Sequence, residues 1–219
     1  GHPPKADETM LIGLHTHTRY GSNCSYSDPS DLVRQAKQAG LDGVCITEHE
    51  LCWEAPALER LSQENGFPVF GGVEVETDCG PVLAFGIRGP LWGVASAREL
   101  RRLVDASQGF MVACHPFRGD AAHTPEPSLD TICARPIFGL VDAVEVFNGS
   151  SHRRELELAL RVLERLGMKG VAGSDSHAVH TVGQCATRFH RPVATEAEMV
   201  AELRAGRFEA VHRRLGLTY

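Results

Sequence analysis

The sequence predicts an α/β protein with a largely parallel sheet, either a small or distorted α/β barrel or a doubly wound sheet. Short apolar runs of strand length alternate with stretches of helix length, and glycine, proline, aspartate and asparagine residues separate the two. This alternation is typical of parallel strands joined by helical crossovers. Six or seven such units fit into the 219 residues, a length that a single α/β barrel can have.

The first half of the chain contains four predicted strands and three predicted helices. The segment Asp28-Pro29-Ser30-Asp31 starts a helix, because it supplies an N-cap candidate, a proline at the first helical position and an acid in the first turn. Gly40 ends this helix. The predicted strands are 11–14, 42–47, 67–75 and 82–87, the last returning as a hairpin, and the helices are 28–39, 53–64 and 96–105.

The second half continues the alternation. A strand over 110–114 closes before Pro116, because proline cannot donate to a ladder. Several prolines between 123 and 136 predict an irregular segment with a short helix near Leu129. Further strands are predicted at 141–147, 170–172 and 184–190, and helices at 151–166 and 196–205.

Composition and charge argue against several classes of function. The formal net charge of −6 gives no indication of a basic surface that would bind nucleic acid or an anionic membrane. No run of residues approaches the ~18 apolar residues of a membrane span. The seven cysteines are scattered without a Cys-x-x-Cys pair, which indicates a reducing, cytoplasmic location. Residues 1–9 are predicted to be a disordered or vector-derived start, followed by one domain over 10–219.

Side chains that can bind metal follow each of six predicted strands. They are His15 and His17, Glu48 and His49, Glu74 and Glu76, His115, Glu145 and Asn148, and Asp175 and His177. The carboxyl ends of barrel strands meet at one face, where these side chains would converge. So many carboxylates and imidazoles in one place need cations to neutralise them. A mixed histidine and carboxylate set suits zinc, iron or manganese.

The spacing of His15 and His17 strengthens this interpretation, because residues two apart on an extended strand point to the same face. Two imidazoles can therefore bind one ion, and carboxylates can bridge two ions ~3.5–4 Å apart, an arrangement that activates water and binds a phosphoryl oxygen. Arg118 is either a solvated loop residue or a bidentate phosphate ligand. His180 is close enough to His177 in the sequence to line the same pocket.

The order of these motifs resembles the PHP family, which is named for the polymerase and histidinol phosphatase domains. The motifs are His-x-His at 15–17, Thr-Glu-His at 47–49, Gly-Val-Glu at 72–74, His-Pro at 115–116, Glu-Val-Phe-Asn-Gly at 145–149 and Gly-Ser-Asp-Ser-His at 173–177. The resemblance spans residues 11–189. It implies a distorted (β/α)7 TIM-like barrel, two or three divalent ions and phosphoesterase chemistry.

The resemblance also implies which residues bind each ion. His15, His17, Glu74 and Asp175 would bind a first ion, Glu74 would bridge to a second ion bound by His115, and His49 and His177 would bind a third. The chain departs from the family in having Asn148 where a histidine is common, and Ser22, Asn23 and Cys24 where an acid or histidine is common. His49 and His177 therefore bind a weaker ion, donate protons or bind phosphate. Glu48, Glu145 and Asn148 are weak ligands or support other ligands.

The sequence thus favours a metal-dependent phosphoesterase for a small phosphomonoester or phosphodiester. Arg118 would neutralise phosphoryl oxygens, and His49, His177 or His180 would protonate the leaving group. Segments 51–56 and 121–136 would form the substrate rim. One alternative is an amidohydrolase-type hydrolase for a non-phosphate bond, although no metal-bridging lysine ends a predicted strand. The other is a domain that binds metal without catalysis. The substrate, the native metal and the oligomeric state stay open.

Overall fold

The computed structural model describes residues 9–89, 91–119 and 127–219, so residues 1–8 of the predicted start and part of the predicted rim segment 121–136 lie outside the described residues. The strands are β1 (Met10–Gly13), β2 (Gly43–Ile46), β3 (Val69–Gly71), β4 (Val73–Thr77), β5 (Gly80–Phe85), β6 (Phe110–Ala113), β7 (Ala143–Asn148), β8 (Lys169–Gly173), β9 (Cys185–Phe189), β10 (Phe208–His212) and β11 (Leu217–Thr218). The helices are α1 (Pro29–Gln38), α2 (Ala55–Asn65), α3 (Ala97–Ala106), α4 (Leu129–Cys133), α5 (Arg153–Leu166) and α6 (Glu196–Arg204).

Local signals in the sequence explain where the helices begin and end. The Asp28 carboxylate accepts the backbone N–H of Ser30 at 3.0 Å and caps α1. Gly66 and Gly167 end α2 and α5 in the left-handed conformation, which glycine adopts at little cost. The six predicted helices, including the short one near Leu129, agree with the structure, and the five for which bounds were given agree within two residues.

The strands form two sheets. In the first, with the order β11-β10-β9-β1-β2-β3, strands β1, β2 and β3 are parallel, and β9 runs antiparallel to β1. In the second, with the order β4-β5-β6-β7-β8, strands β4 and β5 form the predicted hairpin and β6, β7 and β8 are parallel. The mixed α/β class is therefore confirmed, but only four of the nine strand pairings among the described residues are parallel, so the prediction of a largely parallel sheet is wrong.

The two sheets do not close into a barrel, which corrects the closed architecture that the sequence favoured. Only two isolated parallel bridges join the sheets among the described residues, Thr16 to Ser176 and His49 to Glu74. The predicted strand 67–75 is in fact two strands that break at Gly72. A Cβ at Gly72 would lie 2.7 Å from the ring of Phe85, so glycine allows the backbone to pass this ring and leave one sheet for the other.

The core lies between the sheets and their covering helices. Phe85, Phe147 and Phe189 are fully buried, and each such side chain stabilises the fold by about 1.5–3 kcal/mol relative to exposure. Strands β10 and β11 lie outside the elements that the sequence predicts. None of the helices in the described ranges has the length and apolarity that a membrane span requires.

Candidate metal centre

The predicted site residues lie along the facing ends of both sheets. His15 and His17 follow β1, His49 follows β2, His115 follows β6, and Asp175 and His177 follow β8, whereas Glu74 is the second residue of β4 and Glu145 and Asn148 lie within β7. Glu74 does not end a strand because the chain re-enters a strand directly after Gly72. The structure thus brings together side chains from strands that are distant in the sequence.

Four ligand atoms converge at the centre of this group. The His15 Nε2 lies 3.0 Å from the His17 Nε2 and 3.4 Å from the Glu74 Oε2. The His17 Nε2 lies 3.2 Å from the same Glu74 oxygen, and both ring nitrogens lie 3.4 Å from the Asp175 Oδ1. All four side chains are buried. The set therefore combines two imidazoles and two carboxylates shielded from bulk water.

The partners of the two histidines determine which ring nitrogen carries a proton. The Glu145 carboxylate lies 2.9 Å from the His15 Nδ1, and a carboxylate can only accept, so this nitrogen is the donor. The Ser22 hydroxyl donates to Glu48 at 2.5 Å and lies 3.2 Å from the His17 Nδ1, whose N–H it accepts. In the neutral rings both Nε2 atoms consequently present lone pairs to each other and to the two carboxylates.

Such a set of lone pairs fits a cation. Four ligands in a tetrahedron around zinc, with ~2.0–2.1 Å bonds, are separated from one another by ~3.3–3.4 Å. Five of the six separations among the ligand atoms of His15, His17, Glu74 and Asp175 are 3.0–3.4 Å. Supported imidazoles of this kind are the usual arrangement of metal-binding histidines. The buried cluster is therefore compatible with a divalent metal ion.

The electrostatics of the cluster lead to the same conclusion. Burial by itself raises the pKa of the Glu74 carboxyl, but the neighbouring His15 and the hydrogen bonds from His115 outweigh burial and hold this pKa far below its usual range. The pKa of Asp175 is likewise low, because His15, His17 and Arg118 outweigh burial. Both carboxylates are thus ionised beside positively charged histidines and Arg118, and a bound metal ion would supply such charge with the imidazoles neutral.

A second group of ligand atoms adjoins the first. The other Glu74 oxygen, Oε1, lies 3.1 Å from the His115 Nε2, so Glu74 faces both groups. The Asn148 side chain donates to Glu145 at 2.9 Å. Positive φ angles occur at His115 (33°) and Asp175 (50°), and such strained non-glycine backbone is concentrated at functional sites.

The Arg118 guanidinium, which is a donor and not a metal ligand, lies beside this second group. Its Nη2 lies 2.6 Å from the Asp175 Oδ2 and 3.4 Å from the Asn148 Oδ1. The Arg118 side chain is 46% exposed and Asp175 is buried. The guanidinium therefore lies at the border between the ligand cluster and solvent.

A third group lies toward solvent. His17, His49 and His177 each offer a ring nitrogen within 4.8 Å of the others, and the His17 ring stacks on both His49 and His177 with centroids 4.4 Å apart. The His49 Nε2 also lies 3.4 Å from the Cys24 Sγ. Ser22 and Cys24 contact the cluster, although in the sequence they stand out only as departures from a family pattern.

Three predicted residues, Glu48, Glu76 and His180, lie outside the ligand groups, and Glu76 is exposed on β4. The buried Glu48 carboxylate accepts from Thr18, Ser22 and the Trp53 Nε1, and thereby supports the loop after His17. The neighbouring His49 instead faces Glu74, with its Nδ1 3.2 Å from the Glu74 Oε2. His180 is exposed on a 3-10 turn, Val179–Thr181, and within the described ranges it has no hydrogen bond to the cluster.

Comparisons with known proteins agree with this architecture. The PHP-associated family matches residues 153–208. An uncharacterized protein of Methanocaldococcus jannaschii is 27% identical over 149 residues, which are 64% of this chain and 82% of that protein.

Two solved structures show the shared fold. A two-domain protein from Bacteroides vulgatus, described as containing a predicted PHP-like metal-dependent phosphoesterase, matches with a TM-score of 0.71 at 18% identity, over 95% of this chain and 67% of that one. An amidohydrolase from Chromobacterium violaceum, solved with bound sulfate and no metal, matches with a TM-score of 0.64 at 16% identity, over 90% of this chain and 96% of that one. The PHP-associated match over residues 153–208 and the fold shared with a PHP-like structure make this chain similar to PHP-domain proteins.

Proposed function

We propose that this protein is a metal-dependent phosphoesterase that hydrolyses a small phosphomonoester or phosphodiester. The observation that carries the proposal is the convergence of four lone-pair atoms, the Nε2 atoms of His15 and His17, the Oε2 of Glu74 and the Oδ1 of Asp175. Two or three zinc, manganese or iron ions bound by this and the adjoining groups would lower the pKa of coordinated water and polarise a phosphoryl oxygen.

The position of Arg118 favours a phosphoryl group over other groups as the part of the substrate bound at the site. Its guanidinium is half-exposed beside the buried cluster, and a guanidinium can bind two phosphoryl oxygens at once. A cleft of about 370 Å³ beside His115 and a cleft of about 660 Å³ lined by Arg153 and Arg154 both include Arg118. Clefts of this size suit small ligands, so we place the substrate against Arg118.

Three histidines are candidates to protonate the leaving group. His49 and His177 have side chains 45% and 34% exposed at the edge of the cluster, and His180 follows on the exposed turn. A proton donor must reach both the leaving oxygen and solvent. We propose His180 as the proton donor, because His49 and His177 face the ligand groups. Arg118, which would bind the phosphoryl oxygens, and His180 are then the proposed catalytic pair.

A hydrolase for a non-phosphate bond is the second candidate, favoured by the fold shared with the amidohydrolase from Chromobacterium violaceum. That structure holds sulfate, a tetrahedral anion like phosphate, which is compatible with phosphoester chemistry on this fold. Among the described residues no lysine belongs to the ligand groups, and Lys169 begins β8 at the end opposite Asp175. The phosphoesterase is therefore our preferred function.

Elemental analysis of the purified protein, combined with p-nitrophenyl phosphate and a panel of small phosphorylated metabolites, tests the proposal. We expect two or more equivalents of zinc, iron or manganese and release of phosphate that a chelator abolishes. Asp175→Asn should abolish turnover while the protein stays folded; a metal site without catalysis would instead lose mainly thermal stability. Less than one metal equivalent, with no turnover after reloading each metal, would overturn the proposal.

We also propose that the protein is cytoplasmic and that its substrate is a small phosphorylated molecule. All seven cysteines are free thiols, which is compatible with a reducing cytoplasm. The net charge of −6 favours a small phosphorylated substrate over nucleic acid or a membrane surface. Activity on oligonucleotides with a strong dependence on salt would argue against this choice of substrate.

A further inference from the structure

The cleft of about 660 Å³ that includes Arg118 carries more positive charge than the proposed reaction needs. Arg153 and Arg154, the first two residues of α5, line this cleft together with Arg118 and His152. The chain as a whole has a formal net charge of −6, so three guanidinium groups around one cleft are a local feature of an otherwise acidic molecule. A cleft lined by one sign of charge attracts ligands of the opposite sign. The cleft therefore favours an anionic ligand.

The described lining of the cleft contains one carboxylate, that of Glu155, and backbone groups already occupy it. One Glu155 oxygen accepts the N–H of Gly119 at 2.9 Å, and the other accepts the N–H of His152 at 3.0 Å. The Glu155 side chain is buried, and none of the ion pairs within the described ranges includes it. Glu155 thus fixes the loop of Gly119 against the start of α5 and does not neutralise the guanidinium groups.

The two arginines of α5 are available to a ligand. Arg154 is exposed, and over the described part of the chain it has neither a hydrogen bond nor an ion pair. Arg153 pairs with Glu157 at 2.8 Å, but the two side chains are 90% and 55% exposed, and exposed pairs of this kind contribute little energy. A ligand at the cleft can therefore bind Arg154 directly and can compete with Glu157 for Arg153.

Arg118 connects this cleft to the metal centre. Both of its hydrogen bonds to described residues come from Nη2, at 2.6 Å to the Asp175 Oδ2 and 3.4 Å to the Asn148 Oδ1. A guanidinium has five N–H donors, so those on Nε and Nη1 are left for a ligand. A molecule that places its phosphoryl group between the ligand cluster and Arg118 consequently has its remaining atoms close to the arginines of α5.

We propose that the substrate carries a second anionic group, a phosphate or a carboxylate, which Arg154 and Arg153 bind while Arg118 binds the reacting phosphoryl group. This inference rests on the proposed function and narrows its substrate class from any small phosphate ester to one with two anionic groups. Phosphate and carboxylate share the geometry that a guanidinium binds through two parallel hydrogen bonds. The two groups are therefore distinguished by experiment.

Titration with phosphonates tests the proposal, because phosphonates resemble phosphate esters and are not hydrolysed. Calorimetry follows the binding to the purified protein of alkylphosphonates, ω-carboxyalkylphosphonates and α,ω-bisphosphonates, each with chains of three and six carbons. We expect one of the two doubly anionic series to bind at least about 10-fold more tightly than the simple alkylphosphonates, as a hydrogen-bonded charged group typically provides. The series that binds more tightly identifies the second group as carboxylate or phosphate.

Substitutions on α5 show whether its arginines cause this preference. Arg154→Gln should lower the preference for the second anion by about 10-fold, and Arg154→Lys should retain part of it, since an ammonium keeps the charge without the planar fork. The matched control is Arg161→Gln, which removes the same charge from an exposed position two turns further along α5 and outside the lining of the cleft. This control should keep the preference of the natural protein.

The outcomes separate this inference from the proposed function. Equal affinity of the natural protein for all three series, binding of none of them, or equal losses in Arg154→Gln and Arg161→Gln would each overturn the second anionic group. The phosphoesterase is judged separately, by metal content and release of phosphate. A preference for two anions that depends on Arg154, in a protein without turnover of any ester, would support the anion site and contradict the phosphoesterase.

Discussion

The Nδ1–H of His15 donates to the Oε1 of Glu145 at 2.9 Å, and both side chains are completely buried. This contact orients the His15 ring and directs its Nε2 at the ligand cluster. Glu145 also accepts the backbone N–H of His115 at 3.0 Å. One carboxylate therefore positions ligands of two adjoining groups.

Glu145→Gln should weaken metal binding without removing a ligand. The amide lacks the charge that stabilises the His15 N–H, and loss of such supporting partners typically lowers metal affinity by about 10–100-fold. Competition with a chromophoric chelator measures this affinity. The exposed pair of Arg153 and Glu157 on α5 offers the control Glu157→Gln, which should leave the affinity unchanged; an equal effect of both changes would contradict the role of Glu145.

Arg118→Met should lower kcat/KM for phosphate esters by about 10–100-fold, because a hydrogen bond to a charged group contributes about 1.5–3 kcal/mol. Arg118→Lys should recover only part of this loss, since an ammonium cannot bind two oxygens as a planar fork does. Steady-state kinetics, with metal content measured for each variant, tests the prediction. Arg34→Met on α1, which removes an exposed partner of Asp31, is the control.

His180→Ala should affect substrates according to their leaving group. A general acid contributes about 10²–10⁴-fold when an alkoxide must be protonated, whereas p-nitrophenolate leaves without a proton. We expect turnover of alkyl phosphates to fall and turnover of p-nitrophenyl phosphate to stay nearly constant, with exposed His190→Ala as the control. Equal losses of turnover for both substrates would indicate that another residue protonates the leaving group.

Removal of the metal should lower the thermal stability. An ion present at 100 times its Kd stabilises the folded state by about 2.7 kcal/mol, and chains of 150–250 residues shift by about 2–4 °C per kcal/mol, so chelation should lower Tm by about 5–10 °C. Without a cation, the buried Glu74 and Asp175 depend on protonated histidines for compensation. Calorimetry with and without chelator, followed by metal return, measures the shift; no change in Tm would argue against a buried ion.

Gly72→Ala should destabilise the junction between the two sheets. The added methyl would lie 2.7 Å from the buried Phe85 ring, and such overpacking typically costs about 1–3 kcal/mol. Urea unfolding measures the loss. Gly139→Ala is the matched control because a Cβ there would meet no atom within 4 Å, and its free energy of unfolding should stay close to that of the natural protein.

The sequence by itself predicted the helices, most of the strands and the side chains that converge at the candidate site. Caps such as Asp28 and stops such as Gly66 are local signals, since they depend on backbone groups within a few residues. The histidines and acids after the apolar runs were recognisable for the same reason, because the period of a strand decides which of them share a face. The strand ends were therefore sufficient to propose a metal-binding set of histidines and acids, and the resemblance of the motifs to the PHP family implied that His15, His17, Glu74 and Asp175 bind one ion.

Only the tertiary structure decided how these elements and residues meet. The break at Gly72 depends on the ring of Phe85, thirteen positions away, and it separates the strands into two sheets that do not close. The tautomer of His15 depends on Glu145, 130 residues away, and the loop whose Cys24 contacts His49 is hydrogen-bonded to the His177 carbonyl. Contacts between distant segments leave no periodic signal in the sequence. They are therefore known only once the packing of the folded chain is known.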